Sequence, residues 1–318
     1  MKPPSLPTAA AALLTAASLP ALACSSCGCT LNSDWSTQGL HAGPGLSLDL
    51  RHDDVPQDQL RQGSHGVDPA SFGVPAEQEI QHRTFDRITT LSLDAGFDRG
   101  FGLNLQLPWI DRRHDTLAEN DTERSASRSN SLGDVRVVGR WQGDPMTQRW
   151  GLQLGLKLAT GATDVKFSAG PQAGQPLDRG LQPGTGSTDL LLGAFTFGSL
   201  TPHVDYFAQA LLQHALASKA QFKPGPSLGI STGLRWVGDS AWVPALQINL
   251  RHEERESGAN ADIPNSGSTR VGLSPGLTWA ASEQVRVYGF VQVPIFQHVN
   301  GLQLAPRFSA SAGVHLDF

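Results

Sequence analysis

The chain has 318 residues, a net charge of −5, 34 glycines and only three cysteines, and charged residues make up 17% of it. An acidic balance excludes the basic surface that nucleic-acid binding requires. Beyond the N-terminus, no apolar run is long enough for a transmembrane helix, whereas slight polarity with abundant Gly fits a membrane barrel whose strands face lipid on one side and water on the other.

Taken in chain order, residues 1–23 read as an export signal. Lys2 supplies the positive n-region, Ala9 to Leu22 the apolar stretch, and Ala21-Leu22-Ala23 the small-residue cleavage site. Cleavage there starts the mature chain at Cys24 and leaves a net charge of −6. A rival reading is a lipoprotein signal with Cys24 acylated, but Ala21 and Leu22 stand in the reverse of the order such signals use.

Residues 24–43 are expected to form a periplasmic N-terminal segment. It holds every cysteine of the chain, as Cys24, Cys27 and Cys29 in a C-x-x-C-x-C motif. That spacing lets several sulfurs converge on a soft ion, Cu(I) or Zn²⁺. The periplasm is oxidising, so a disulfide with one thiol left over is an equal alternative, and acylation of Cys24 is a third. All three readings stay open.

From residue 44 to the end, period-2 alternation dominates and predicts one all-β domain, an up-and-down antiparallel barrel of about twelve strands. Clear examples are Phe101 to Trp109, Trp150 to Leu158, Val204 to Leu212, Trp242 to Leu250 and Val285 to Ile295. Short turns are expected at 98–100, 143–148, 198–201, 238–241 and 281–284. Long connections are expected at 53–83, 111–132, 161–187, 215–225 and 252–268. This alternation is the signature of outer-membrane barrels, with short periplasmic turns and long extracellular loops. Trp141, Trp150, Trp236, Trp242 and Trp279 all flank short turns, where indole rings would form an interfacial girdle. Phe318 closes the last alternating strand as the expected signal for the barrel-assembly machinery. An even strand number puts both termini in the periplasm.

Parity assigns Arg136, Arg140, Lys157, His203, Asp205, Arg235, Arg286, Tyr288 and His315 to the lumen. Phe207, Phe290 and Phe296 are assigned inward as well. Buried charges must pair or face water. The lumen is therefore either a paired polar filling or a narrow aqueous path with an Arg-rich constriction suited to anionic or aromatic solutes. No catalytic constellation stands out. Ser64-His65 is the one adjacent Ser–His pair, its side chains point apart, and no enzyme is expected.

Gly133-Asp134-Val135, Leu158-Ala159-Thr160-Gly161 and Gln182-Pro183-Gly184-Thr185-Gly186-Ser187-Thr188-Asp189 together carry a family resemblance. Over about residues 85–318 the chain resembles the outer-membrane transporters of the meta-pathway phenol-degradation family, which often carry Pro where this chain has Ala159. The resemblance implies a barrel and passage of hydrophobic or aromatic compounds. The expected function is a passive channel for small solutes in contact with outer-membrane lipid. The alternative is a closed barrel that anchors or docks a periplasmic metal or redox partner.

Overall fold

Alternating side chains commit each segment to a strand with two unlike faces, and only closure of the sheet leaves no edge unpaired. The computed structural model describes residues 31–32, 34–40, 43–143 and 149–318. In it twelve antiparallel strands form one closed barrel. They are β1 (Gly45–Gly63), β2 (Ile80–Gly96), β3 (Phe101–Leu117), β4 (in two segments, Ser125–Leu132 and Arg136–Trp141), β5 (Trp150–Lys157) and β6 (Asp189–Thr201). They continue as β7 (Val204–Ala215), β8 (Ser227–Trp236), β9 (Trp242–Glu253), β10 (Ser268–Ala280), β11 (Val285–Pro306) and β12 (Ser309–Asp317). Each strand pairs with its sequence neighbours, and β12 closes on β1 from Ser47↔Asp317 to Asp54↔Ala310.

The polarity is inverted relative to a water-soluble protein. Leu46, Leu50, Leu103, Leu154, Val291 and Val293 stand exposed on the outside, while Asp49, Asp94, Arg140, Lys157 and Asn249 are buried inside. Among the described residues, four short turns lie at one end, the same end as both ends of the barrel sequence. Trp150, Trp236, Trp242 and Trp279 are exposed there, and Trp141 packs edge-on to Trp150 at 6.0 Å. The long connections gather at the other end.

The long connections are shorter than the pattern predicts. Much of 53–83 and 111–132 is strand, because β1, β2 and β3 continue past the apolar band as far as Gly63, Ile80 and Leu117. Beyond lipid both faces of a strand are polar, so alternation disappears while the backbone ladder continues.

Two walls are irregular. In β4, Gly133, Asp134 and Val135 bulge opposite Leu107 and Pro108, where proline offers no N–H to the ladder. In β11, Ile295 is an extra residue between the Val271↔Phe296 and Gly272↔Pro294 pairs. This bulge reverses the side-chain phase. Phe296, assigned inward by parity, is instead 47% exposed on the outer wall beside Ile295.

Candidate functional site: a plugged lumen

Of segment 24–43, expected as a periplasmic N-terminal segment, residues 31–32 and 34–40 lie in the barrel interior, with Leu31, Trp35, Ser36, Thr37 and Gln38 all buried. Its local fold follows from two capping residues. Asp34 Oδ1 accepts from the Ser36 and Thr37 amides at 3.1 and 3.3 Å, as an N-cap does. Gly39 ends the turn at φ 75°, where a Cβ would collide with the Phe197 ring. The signal was present in the sequence as Asp34, one large aromatic and Gly39, but ten residues are too few to show a period. Cys24, Cys27, Cys29 and the export signal lie outside the described residues.

Trp35 seats this plug. Its Nε1 donates to Asp49 Oδ2 at 3.0 Å. Its ring stacks on His315 with centroids 4.5 Å apart, and Tyr288 meets it edge-on at 5.3 Å. Tyr288 Oη donates to the other oxygen of Asp49 at 2.9 Å. The remaining contacts are polar. Arg235 Nη2 donates to the Gln38 carbonyl at 2.7 Å, Gln247 Nε2 to the Asn32 carbonyl at 3.2 Å, and Gln153 Nε2 to Asp34 Oδ2 at 3.2 Å. A cavity of about 40 Å³ remains between plug and wall, room for roughly three waters.

Three of the predicted lumen arginines have a carboxylate within 4.0 Å. Arg140 meets Asp94 at 2.5 Å, Arg286 meets Asp317, and Arg235 lies 3.9 Å from Asp205. Arg136 donates to Gln213 at 3.3 Å. Arg112, which was not among the predicted residues, pairs with Asp86 at 2.5 Å on the polar extension of β3. His203 departs from its assignment: it lies exposed in the two-residue turn between β6 and β7, outside the lumen. Ser64 Oγ lies 3.0 Å from His298 Nδ1 rather than against His65.

The three resemblance motifs converge on one buried carboxylate. Asp134 Oδ1 accepts from the Gly161 amide at 3.0 Å, and its Oδ2 accepts from Lys157 Nζ at 2.7 Å and the Thr185 amide at 2.9 Å. Lys157 also lies 3.2 Å from Asp189. Thr160 Oγ1 donates to the Gly133 carbonyl at 2.9 Å. Gly161 and Gly184 touch backbone to backbone, so either Cβ would clash. The motif is thus a structural knot that folds the 158–188 connection back into the barrel. There Arg112 Nη1 donates to the Leu181 carbonyl at 2.8 Å.

Above the knot, Leu60, Ala76, Ile80, Leu117, Leu302 and Leu304 form an apolar cap with Phe72 packed on it. Beside it lies an acidic pocket. Burial, then Glu79, Asp262 and Glu256, hold the Asp178 carboxyl well above its ordinary range, and burial pushes Asp262 up to about 6.

An apolar exterior, an aromatic ring at the short-turn end and a charge-paired interior define an outer-membrane-type β-barrel with an occluded lumen. The COG4313 outer membrane channel from Pseudomonas putida F1 has a similar fold, with a TM-score of 0.62 at 11% identity over 91% of this chain and 99% of that one. Weaker likenesses are the CymD monoaromatic hydrocarbon channel (TM-score 0.45, 10% identity, 92% of this chain and 94% of that one) and the KdgM porin (0.41, 12%, 86% and 99%). No protein-family model matches the sequence, and no curated protein matches it either.

Proposed function

We propose that this protein is a passive outer-membrane channel for small solutes, held shut by its own N-terminal segment. The short-turn end faces the periplasm, with both chain termini. The observation that carries the reading is the seating of Trp35. A closed structural barrel would fill its lumen with wall side chains, whereas here a segment from before the first strand occupies a slot made by Asp49, Tyr288 and His315. A solute able to replace it would be a planar aromatic bearing one hydrogen-bond donor.

The test is single-channel conductance in a planar bilayer. Full-length protein should open rarely, and Trp35→Ala should open often, with small steps set by the narrow lumen. Silence from both in a heat-modifiable, folded sample would remove the channel.

A second reading, a closed docking platform, draws support from the ion pairs that brace the wall at Arg140–Asp94, Arg112–Asp86 and Lys157–Asp134. The cysteine motif belongs to both proposals. Cys29 is two residues from Leu31, about 7 Å of extended chain. A Cu(I) or Zn²⁺ ion held by Cys24, Cys27 and Cys29 would therefore act close to the plug. Under the first reading Cu(I) changes the opening frequency, and Cys27→Ser with Cys29→Ser abolishes that change without affecting assembly.

A further inference from the structure

The outer wall carries a second feature, unrelated to the lumen. Where β11 meets β1 and β12, the barrel changes partners. β11 rises to Val299, turns at Gly301 (φ 61°), and returns through Leu302–Pro306 to pair with β1, and β12 starts only at Ser309. Pro294 and Pro306 face this seam and have no N–H to bridge it. Gln297 Nε2, donating to the Pro306 carbonyl at 2.8 Å, supplies a side-chain bond there.

On the outside the seam is an open notch of about 310 Å³ lined by Arg61, Arg307, Ile295, Phe296, Pro294 and Pro306, among others. The bulge places Ile295 and Phe296 side by side on one face, 61% and 47% exposed. They are the last apolar outward residues of β11 before His298, so the notch straddles the edge of the apolar band. Its polar rim is cationic. Arg61 uses Nη1 on Gln59 and Nη2 on the Ser64 carbonyl, and its buried Nε has no hydrogen-bond partner. Arg307 is 65% exposed and makes one ion pair, at 3.2 Å, with the exposed Asp58. Such an exposed pair is weak and yields readily to a stronger anion.

We propose that this notch binds a phosphorylated lipid of the outer leaflet, its phosphate between Arg61 and Arg307 and its acyl chain along Ile295 and Phe296. Two guanidiniums match a phosphate's geometry, and the paired apolar side chains match a chain that enters from the side. The assignment rests on the long-loop end facing the outer leaflet, and binding in detergent is independent of any conductance.

The test is native mass spectrometry of the full-length barrel in detergent, with a bisphosphorylated acyl glycolipid, its dephosphorylated form and inorganic phosphate as probes. Retention of the phosphorylated lipid is expected, falling about tenfold in Arg61→Gln/Arg307→Gln, the factor for losing a charge-assisted bond. Asp58→Asn should raise retention, which keeps the proposal testable if the double variant folds poorly. Equal retention of the dephosphorylated lipid, or no response to either substitution, overturns it. Retention of inorganic phosphate as strong as that of the lipid would reduce the notch to a simple anion site and overturns the lipid assignment.

Discussion

The two ends of the barrel are closed by different physics. At the long-loop end the closure is integral, built from an apolar cap of six buried residues and a carboxylate knot that ties three stretches of sequence together. At the short-turn end it is an appended segment held by one aromatic ring and a few polar contacts. Removing part of the first should damage the fold, and removing part of the second should leave the barrel standing.

Asp134→Ala should be the most damaging change. It leaves buried Lys157 with one carboxylate, Asp189, in place of two and frees the Gly161 and Thr185 amides. Breaking a buried pair of this kind costs about 3–5 kcal/mol, read as a lower urea midpoint in lipid vesicles. A midpoint unchanged from the parent would show that the two ends do not differ in kind. Trp35→Ala should cost the plug about 3 kcal/mol of seating energy, the lower end for Trp truncation, while the urea midpoint of the barrel stays put. Openings should then become roughly a hundredfold more frequent. Arg235→Leu removes the charged donor to Gln38 and should release the plug by about 1.5 kcal/mol, a smaller rise in the same readout.

The acidic pocket gives the mildest effect, at the opposite end. The Asp178 and Asp262 carboxyls are raised when folded, so the folded cap binds protons more tightly than the unfolded chain does. Its stability is therefore fully present below pH 4 and declines as pH rises through about 6. Limited proteolysis of the 158–188 and 254–267 connections should quicken by a few-fold, about the scale of such linkage, between pH 5 and pH 8. A faster cut at the lower pH would reverse the sign and break the assignment.

The barrel was legible because period-2 alternation survives wherever lipid faces one side and water the other. It faded at the outer halves of β1 to β3, where between Arg51 and Gly63 only Val55, Pro56 and Leu60 interrupt the polar residues and they keep no period of two. Parity separates inward from outward side chains along regular ladders, and it failed at Phe296 because one inserted residue, Ile295, shifts the phase. The plug was missed because Leu31–Leu40 has no period and declares itself only through its caps. The knot was visible as three motifs, but their convergence on Asp134 depends on long-range pairing that no local pattern encodes.

Four residues separate Leu40 from the first rung of the ladder at Gly45, and that short tether has a quantitative consequence. A segment so attached behaves as a ligand present at an effective concentration of about millimolar, whatever the protein's own concentration. Any solute or free peptide that competes for the Trp35 slot must overcome that constant internal competitor. The barrel would then respond little to traces of solute, and the concentration that half-opens it would be shifted upward by a factor written in the length of the chain between Leu40 and Gly45.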